Sequence, residues 1–146
     1  MTFRPWVRRS GLCLALGLSL GVCLEGRADT WGVHIASRHF PNDRYNNSNP
    51  GFYWLSDDGW AAGTFYNSYE RTTVYGGKLL PLAGSLSVFL AAATGYPTGE
   101  VIGLAGLSWR LPALGGVYPR LLLVPSVEFN GRQHDGVLHL SLEKPF

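Results

Sequence analysis

The closing stretch GVLHLSLEKPF, from Gly136 to Phe146, alternates apolar and polar side chains almost residue by residue. Neighbouring side chains of an extended chain point to opposite faces, so Leu138, Leu140 and Leu142 line one side and His139, Ser141 and Glu143 the other. Such a strand belongs to a sheet that separates two environments. His139 is read as pointing into the enclosed one.

Working back along the chain, the same period of two recurs in LSVFLAA, where Leu86, Val88 and Leu90 share a face. The runs between turn signals predict eight strands, at about 30–39, 50–56, 60–68, 71–79, 84–94, 100–109, 119–129 and 136–146. Asp57-Asp58-Gly59 and Asn130-Gly131 are tight-turn signals, Tyr96-Pro97 opens a loop, and Leu80-Pro81 and Leu111-Pro112 break strands. Gly76, Gly77, Gly103 and Gly106 mark places where strands bend. An antiparallel sheet of eight strands closes most simply into an up-and-down barrel, because closure leaves no unpaired edge. The expected fold is all-β: one eight-stranded antiparallel β-barrel domain over residues 29–146, preceded by a cleaved signal peptide.

That signal peptide is read over residues 1–28. MTFRPWVRR is a basic start, GLCLALGLSLGVCL an apolar run too short to span a bilayer as a helix, and EGRADT holds a small-residue cleavage site ending at Ala28. A lipid-anchored start at Cys23 is disfavoured by the β-branched Val22 before it. Both cysteines, Cys13 and Cys23, leave with the leader, so no disulfide staples the mature domain. Removing the leader also takes four arginines and one glutamate. The formal charge of +2 becomes −1, and the basic balance of the whole chain carries no implication of nucleic-acid binding.

Alternation by itself does not choose the solvent outside the barrel. A water-soluble barrel turns polar residues outward around an apolar lumen; a membrane barrel turns an apolar band outward between aromatic girdles. Three features favour the membrane: the export signal, the Trp and Tyr residues near strand ends (Trp31, Tyr53, Trp60, Tyr66, Tyr75, Trp109, Tyr118), and the aromatic Phe146 closing an alternating strand. The expected location is the cell outer membrane, as a monomer. A periplasmic barrel binding a small apolar ligand is the alternative, and fractionation without detergent separates the two.

With both termini on one side, FPNDRYNNSN, SYER, TGYPTGE and NGRQHD become loops at the opposite end. His39, Arg44 and Tyr45 then share a rim with Asn67, Ser68, Tyr69 and Arg71. A serine hydroxyl is a weak nucleophile without a base in hydrogen-bond reach, and histidine is the usual base near neutral pH. His34 and His39 both qualify; they stand five residues apart on one strand, roughly 16 Å at about 3.3 Å per residue, so only one serves Ser68. Asn67 can orient a ring or donate to an oxyanion, but a neutral amide does not neutralise an imidazolium. Arg44, Tyr45, Tyr69 and Arg71 are the candidate substrate contacts. The competing reading of Ser68 and Asn67 is a turn that caps its own backbone. Metal-ligand spacing, a phosphate loop and a nucleophile elbow are not found, and no cofactor is expected.

The order of His34, DRYN, Pro50-Gly51 at a strand start and Asn67-Ser68 before Tyr69 resembles the lipid A palmitoyltransferases of the PagP type, most densely over residues 31–77. That family consists of small eight-stranded outer-membrane barrels with a catalytic His, Asp and Ser in surface loops. The resemblance implies transfer of an acyl chain from a phospholipid to lipid A or a related lipid, with His34 or His39 in the histidine position, Ser68 in the serine position and Asn67 where the family has aspartate. It also implies a lumen that holds the acyl chain, lined by small residues such as Gly63, Ala91 and Ala93. The chain departs from the family in Asn67 and in lacking the amphipathic helix before the first strand. A non-catalytic outer-membrane barrel shares every feature except the chemistry.

Overall fold

The computed structural model describes residues 28–41, 44–97, 99, 101–129 and 132–146, with backbone alone at 127–129 and 132–134. The leader up to residue 27, Asp43 of the DRYN motif, and the Asn130-Gly131 turn lie outside the described residues. Ten strands follow in order: β1 (Thr30–Phe40), β2 (Ser48–Leu55), β3 (Trp60–Tyr66), β4 (Thr72–Ala83), β5 (Leu86–Ala93), β6 (Ile102–Arg110), β7 (Tyr118–Val124), β8 (Val127–Phe129), β9 (Arg132–His134) and β10 (Gly136–Pro145). Eight of them close a barrel in the order β1-β10-β7-β6-β5-β4-β3-β2, every pair antiparallel, while β8 and β9 form a separate hairpin. The alternating C-terminal segment is the closing strand: β10 pairs with β1 from Thr30↔Pro145 to Phe40↔Gly136.

Three boundaries differ from the sequence reading. Leu80-Pro81 does not end β4. The ladder with β3 stops at Trp60↔Lys78, and Leu79 N donates across to Gly59 O. The nitrogen two residues on, that of Pro81, faces the same side, where no neighbouring strand needs a donor. β4 therefore runs on, paired with β5 alone, through a bulge between Pro81 and Ala83. The expected strand at 119–129 is split instead. β7 stops at Val124, opposite Val137 near the start of β10, and Pro125 follows with no N–H to extend a ladder. The chain leaves the barrel there to make the β8–β9 hairpin. Finally, β3 ends at Tyr66, so Asn67 and Ser68 sit in a turn rather than on the strand.

Inside the barrel, large rings lie over glycines on the neighbouring strand. Gly32, Tyr53, Gly63, Tyr75 and Ala93 are successive cross-strand partners from β1 to β5. A Cβ at Gly32 would meet the Tyr53 ring at 2.1 Å, so the glycine is the space the tyrosine occupies. The lumen has two walls. On one side Leu55, Ala61, Phe89 and Ala93 pack with Tyr53 and Tyr75. On the other, β1, β7 and β10 present His34, Arg120, His139, Ser141 and Glu143. Tyr53 joins the walls, its hydroxyl bonding Glu143 Oε1 at 2.7 Å and Ser141 Oγ at 3.1 Å.

The exterior is apolar. Val33, Ile35, Phe52, Val74, Leu90, Leu107 and Leu138 all point outward and exposed. At the end carrying the termini, Trp31, Trp60 and Trp109 are each half-exposed, and Trp31 stacks on Phe146 with centroids 5.9 Å apart. Phe40, Tyr66 and Tyr69 are exposed at the loop end.

Candidate functional site

Unbroken alternation turns residues five apart to opposite faces. In β1 the register instead shifts between His34 and Ala36 against both neighbours: opposite β10 these two steps span one, from Ser141 to Leu140, so Ile35 is the extra residue of a bulge there, while opposite β2 they span three, from Gly51 to Ser48. Gly32 and His34 face inward before it; Ser37 and His39 face inward after it. His39 thereby reaches the loop end of the lumen, 7 % exposed.

The turn after β3 supplies its partner. Asn67 is 1 % exposed and holds that turn: its Oδ1 accepts from Tyr69 N (2.9 Å) and Arg71 N (3.1 Å), and its Nδ2 donates to Thr73 Oγ1 and Gly95 O, both at 2.9 Å. Asn67 N also donates to Arg71 O, and Glu70 takes up a left-handed φ of 58° to close the turn. Because Asn67 does the local capping, the neighbouring hydroxyl is turned elsewhere. Ser68 Oγ lies 2.9 Å from His39 Nε2.

A third group completes the line. Asn47 Oδ1 is 3.2 Å from His39 Nδ1, which makes Nδ1 the protonated nitrogen and leaves Nε2 to accept the Ser68 proton. Asn47 is placed by its backbone, whose carbonyl accepts from Ser37 N at 2.9 Å. The two loops are joined directly, Asn46 N donating to Ser68 O at 3.3 Å. A serine, an imidazole and an orienting amide in this order are the parts of a nucleophilic relay.

Aromatic side chains cover the imidazole. Tyr45 lies against His39 at 4.6 Å, Tyr69 meets Tyr45 edge-on at 5.4 Å, and Tyr96 continues the row at 6.0 Å. The hydrogen bond to Tyr69, then burial and the nearby Asp135, push the Tyr45 phenol up to about 12. Burial pushes Tyr96 up to about 12, with Tyr69 adding to it. Both stay protonated at neutral pH and remain donors.

The structure thus brings together His39, Ser68, Tyr45 and Tyr69 and separates them from the other candidates. His34 lies deeper in the lumen, Nδ1 at 2.8 Å from His139 Nε2 and Nε2 at 3.0 Å from the Tyr75 hydroxyl. Asn67 has both amide protons engaged in holding the turn, so neither is left for an oxyanion. Arg44 and Arg71 are exposed on the two loops. Gly63 packs against Tyr53, and Ala93 is 1 % exposed, so these small residues sit in a filled layer rather than along an open channel. Asn47 is the residue that sequence reasoning passed over, as one polar residue among NNS. The signal was a hairpin count: Ala36 pairs with Ser48, which carries His39 opposite Tyr45 and next but one to Asn47.

Compared with known proteins, the chain matches no family model, no curated protein and no solved structure.

Proposed function

We propose that this protein is an outer-membrane enzyme that moves an acyl chain from a phospholipid to lipid A or a related lipid, with Ser68 as nucleophile and His39 as base. The observation that carries the reading is the 2.9 Å contact of Ser68 Oγ with His39 Nε2, aligned by Asn47, at the loop rim of a barrel whose outer face is apolar. That exterior, with tryptophans at one end and Phe40, Tyr66 and Tyr69 at the other, is the pattern a bilayer selects.

Ser68 Oγ attacks the ester carbonyl of the donor lipid while its proton passes to His39 Nε2. His39 returns that proton to the departing alcohol, leaving an acyl ester on Ser68. The acceptor hydroxyl then gives its proton to Nε2, attacks the acyl carbonyl and restores the serine. Because the layer beneath is filled by Tyr53, Tyr75 and Phe65, the lipid tail lies along the apolar exterior rather than down the axis. The resemblance of residues 31–77 to lipid A palmitoyltransferases points to the same chemistry.

The test is lipid A mass spectrometry on cells expressing the wild type and Ser68→Ala at equal membrane abundance, together with fluorophosphonate labelling of the purified protein. Acylation and labelling lost in the variant support the reading. Identical lipid profiles and no label on Ser68 overturn it.

A further inference from the structure

At the terminus end the lumen is held by charge: Arg110 and Arg120, opposed on β6 and β7, are both tied to the buried Glu143. The loop end is held by rings. Tyr45 follows β1, Tyr69 stands between β3 and β4, and Tyr96 lies between β5 and β6, so three of the four loops there each contribute a tyrosine. Each ring meets the next, Tyr45 to Tyr69 at 5.4 Å and Tyr69 to Tyr96 at 6.0 Å. The fourth loop contributes Asp135, whose carboxylate accepts a hydrogen bond from the Tyr45 hydroxyl.

This row lies over the Ser68–His39 pair. Asn47 and Ser68 take the two nitrogens of the His39 ring and Tyr45 covers its face at 4.6 Å, which leaves His39 7 % exposed. A lipid ester that brings its carbonyl to Ser68 beside that imidazole has to displace Tyr45 first. The three tyrosines are anchored unequally. Tyr69 sits on the turn that Asn67 braces, its own N–H donating to Asn67 Oδ1, and Tyr96 packs against the buried cluster that includes Tyr75 and Phe89. Tyr45 is half-buried on the first loop, and its hydroxyl is held by Tyr69 and by Asp135. Asp135 is firmly placed to hold it. Val137 is the partner of His39 and Gly136 the partner of Phe40, and a Cβ on Gly136 would meet the Phe40 ring at 2.3 Å. That close packing sets the half-buried carboxylate at the end of β1. A phenol donating to a carboxylate makes the stronger, charge-assisted kind of hydrogen bond.

We propose that the tyrosine row is a lid over the Ser68–His39 pair, that Tyr45 is its moving part, and that Asp135 is the positioning residue that holds Tyr45 closed over the imidazole. Opening breaks the contacts of Tyr45 with Asp135, Tyr69 and the His39 ring and leaves Tyr69 and Tyr96 on their own anchors. The lipid as the entering group rests on the acyl-transfer reading above; the cover on His39 does not.

The experiment treats the full barrel in detergent, near neutral pH, with diethyl pyrocarbonate, which modifies accessible imidazoles, and reads each histidine separately by mass spectrometry. In the wild type His39 reacts slowly. Asp135→Ala is expected to speed that reaction about tenfold, the population change that loss of one hydrogen bond to a charged group brings. Asp135→Glu keeps the wild-type rate. Tyr45→Phe, which keeps the ring and removes the hydroxyl, speeds the reaction as well, and Asp135→Ala adds nothing further in that background. His34, held between His139 and Tyr75 in the lumen, stays unreactive throughout. If Asp135→Ala fails to fold, Asp135→Asn, which retains the shape and a weaker acceptor, is expected to give an intermediate rate. One His39 rate shared by the wild type, the Asp135 variants and Tyr45→Phe overturns the lid. So does His34 reacting in step with His39, which means a loosened barrel rather than an opened cover. Fluorophosphonate labelling of Ser68 in the same samples separates the two readings: label absent from the wild type and every variant overturns the acyl transfer, and the His39 rates still decide the lid.

Discussion

His39 Nε2 and Ser68 Oγ stand 2.9 Å apart across 29 residues of chain, and the contact exists because Ile35 is an extra residue in β1. Without that bulge His39 would take the outward face that Arg38 holds and point away from the lumen. With it, His34 and His39 both face the lumen, at different depths and with different partners.

The two histidines are therefore separable by function. His39→Gln is expected to lower fluorophosphonate labelling of Ser68 by about 10²- to 10⁴-fold, the usual contribution of a positioned base. His34→Gln is expected to leave labelling within about threefold of the wild type, since His34 contacts His139 and Tyr75 and not the serine. Equal losses from both substitutions would contradict this assignment.

The two asparagines should divide in the other direction. Asn67→Ala leaves the Tyr69 and Arg71 amides, the Thr73 hydroxyl and the Gly95 carbonyl without their partner. At about 1–3 kcal/mol for each buried group left unsatisfied, the turn is expected to lose ordered structure, with a clear drop in the denaturant midpoint. Asn47→Ala removes one bond on an exposed loop, so the midpoint is expected to stay put while fluorophosphonate labelling of Ser68 falls. A catalytic loss at Asn67 with unchanged unfolding would count against its role as turn support.

Glu143 holds two opposed arginines and the Tyr53 hydroxyl. Glu143→Leu is expected to destabilise the barrel by about 3–5 kcal/mol, the cost of leaving buried charge without its partner. Urea unfolding in micelles measures it, and a change under about 1 kcal/mol would show that the arginines find other partners.

Gly32→Ala puts a methyl where the Tyr53 ring lies, 2.1 Å from its Cζ. Overpacking of this kind costs about 1–3 kcal/mol. Tyr53→Leu in the same chain is expected to recover part of the loss, giving a coupling between the two positions in a double-mutant cycle. Strict additivity would mean that the ring does not depend on the glycine.

The Tyr45 phenol, held up at about 12 against an ordinary 10, ties the first loop to pH. The folded loop retains its proton where the unfolded chain has begun to lose it. Its contribution to loop order is complete below about pH 10 and disappears as pH rises toward 12. Phenolate absorbance of the wild type against Tyr45→Phe is expected to isolate a titration near 12; a difference spectrum titrating near 10 would contradict the hydrogen bond to Tyr69.

Much of the architecture is legible in the residues. Period-two alternation from Leu138 to Glu143 specifies a two-faced strand, and eight such runs with turn residues between them specify a closed antiparallel barrel. Alternation is a local property of extended backbone, so it survives in the one-dimensional pattern. Pro81 and Pro125 look alike in that pattern and behave oppositely, because the missing N–H matters only where a neighbouring strand would accept it.

The site divides along the same line. Sequence alone placed Ser68 and a histidine at one rim, since strand count and direction bring their loops together. Which histidine, which asparagine and which nitrogen were decided only by tertiary structure. A one-residue bulge in β1 changes no composition and no period elsewhere, yet it reverses every side chain beyond it. Asn67 and Asn47 differ in nothing but their neighbours, and it is those neighbours that make the first a buried support for the turn and the second the amide that orients His39.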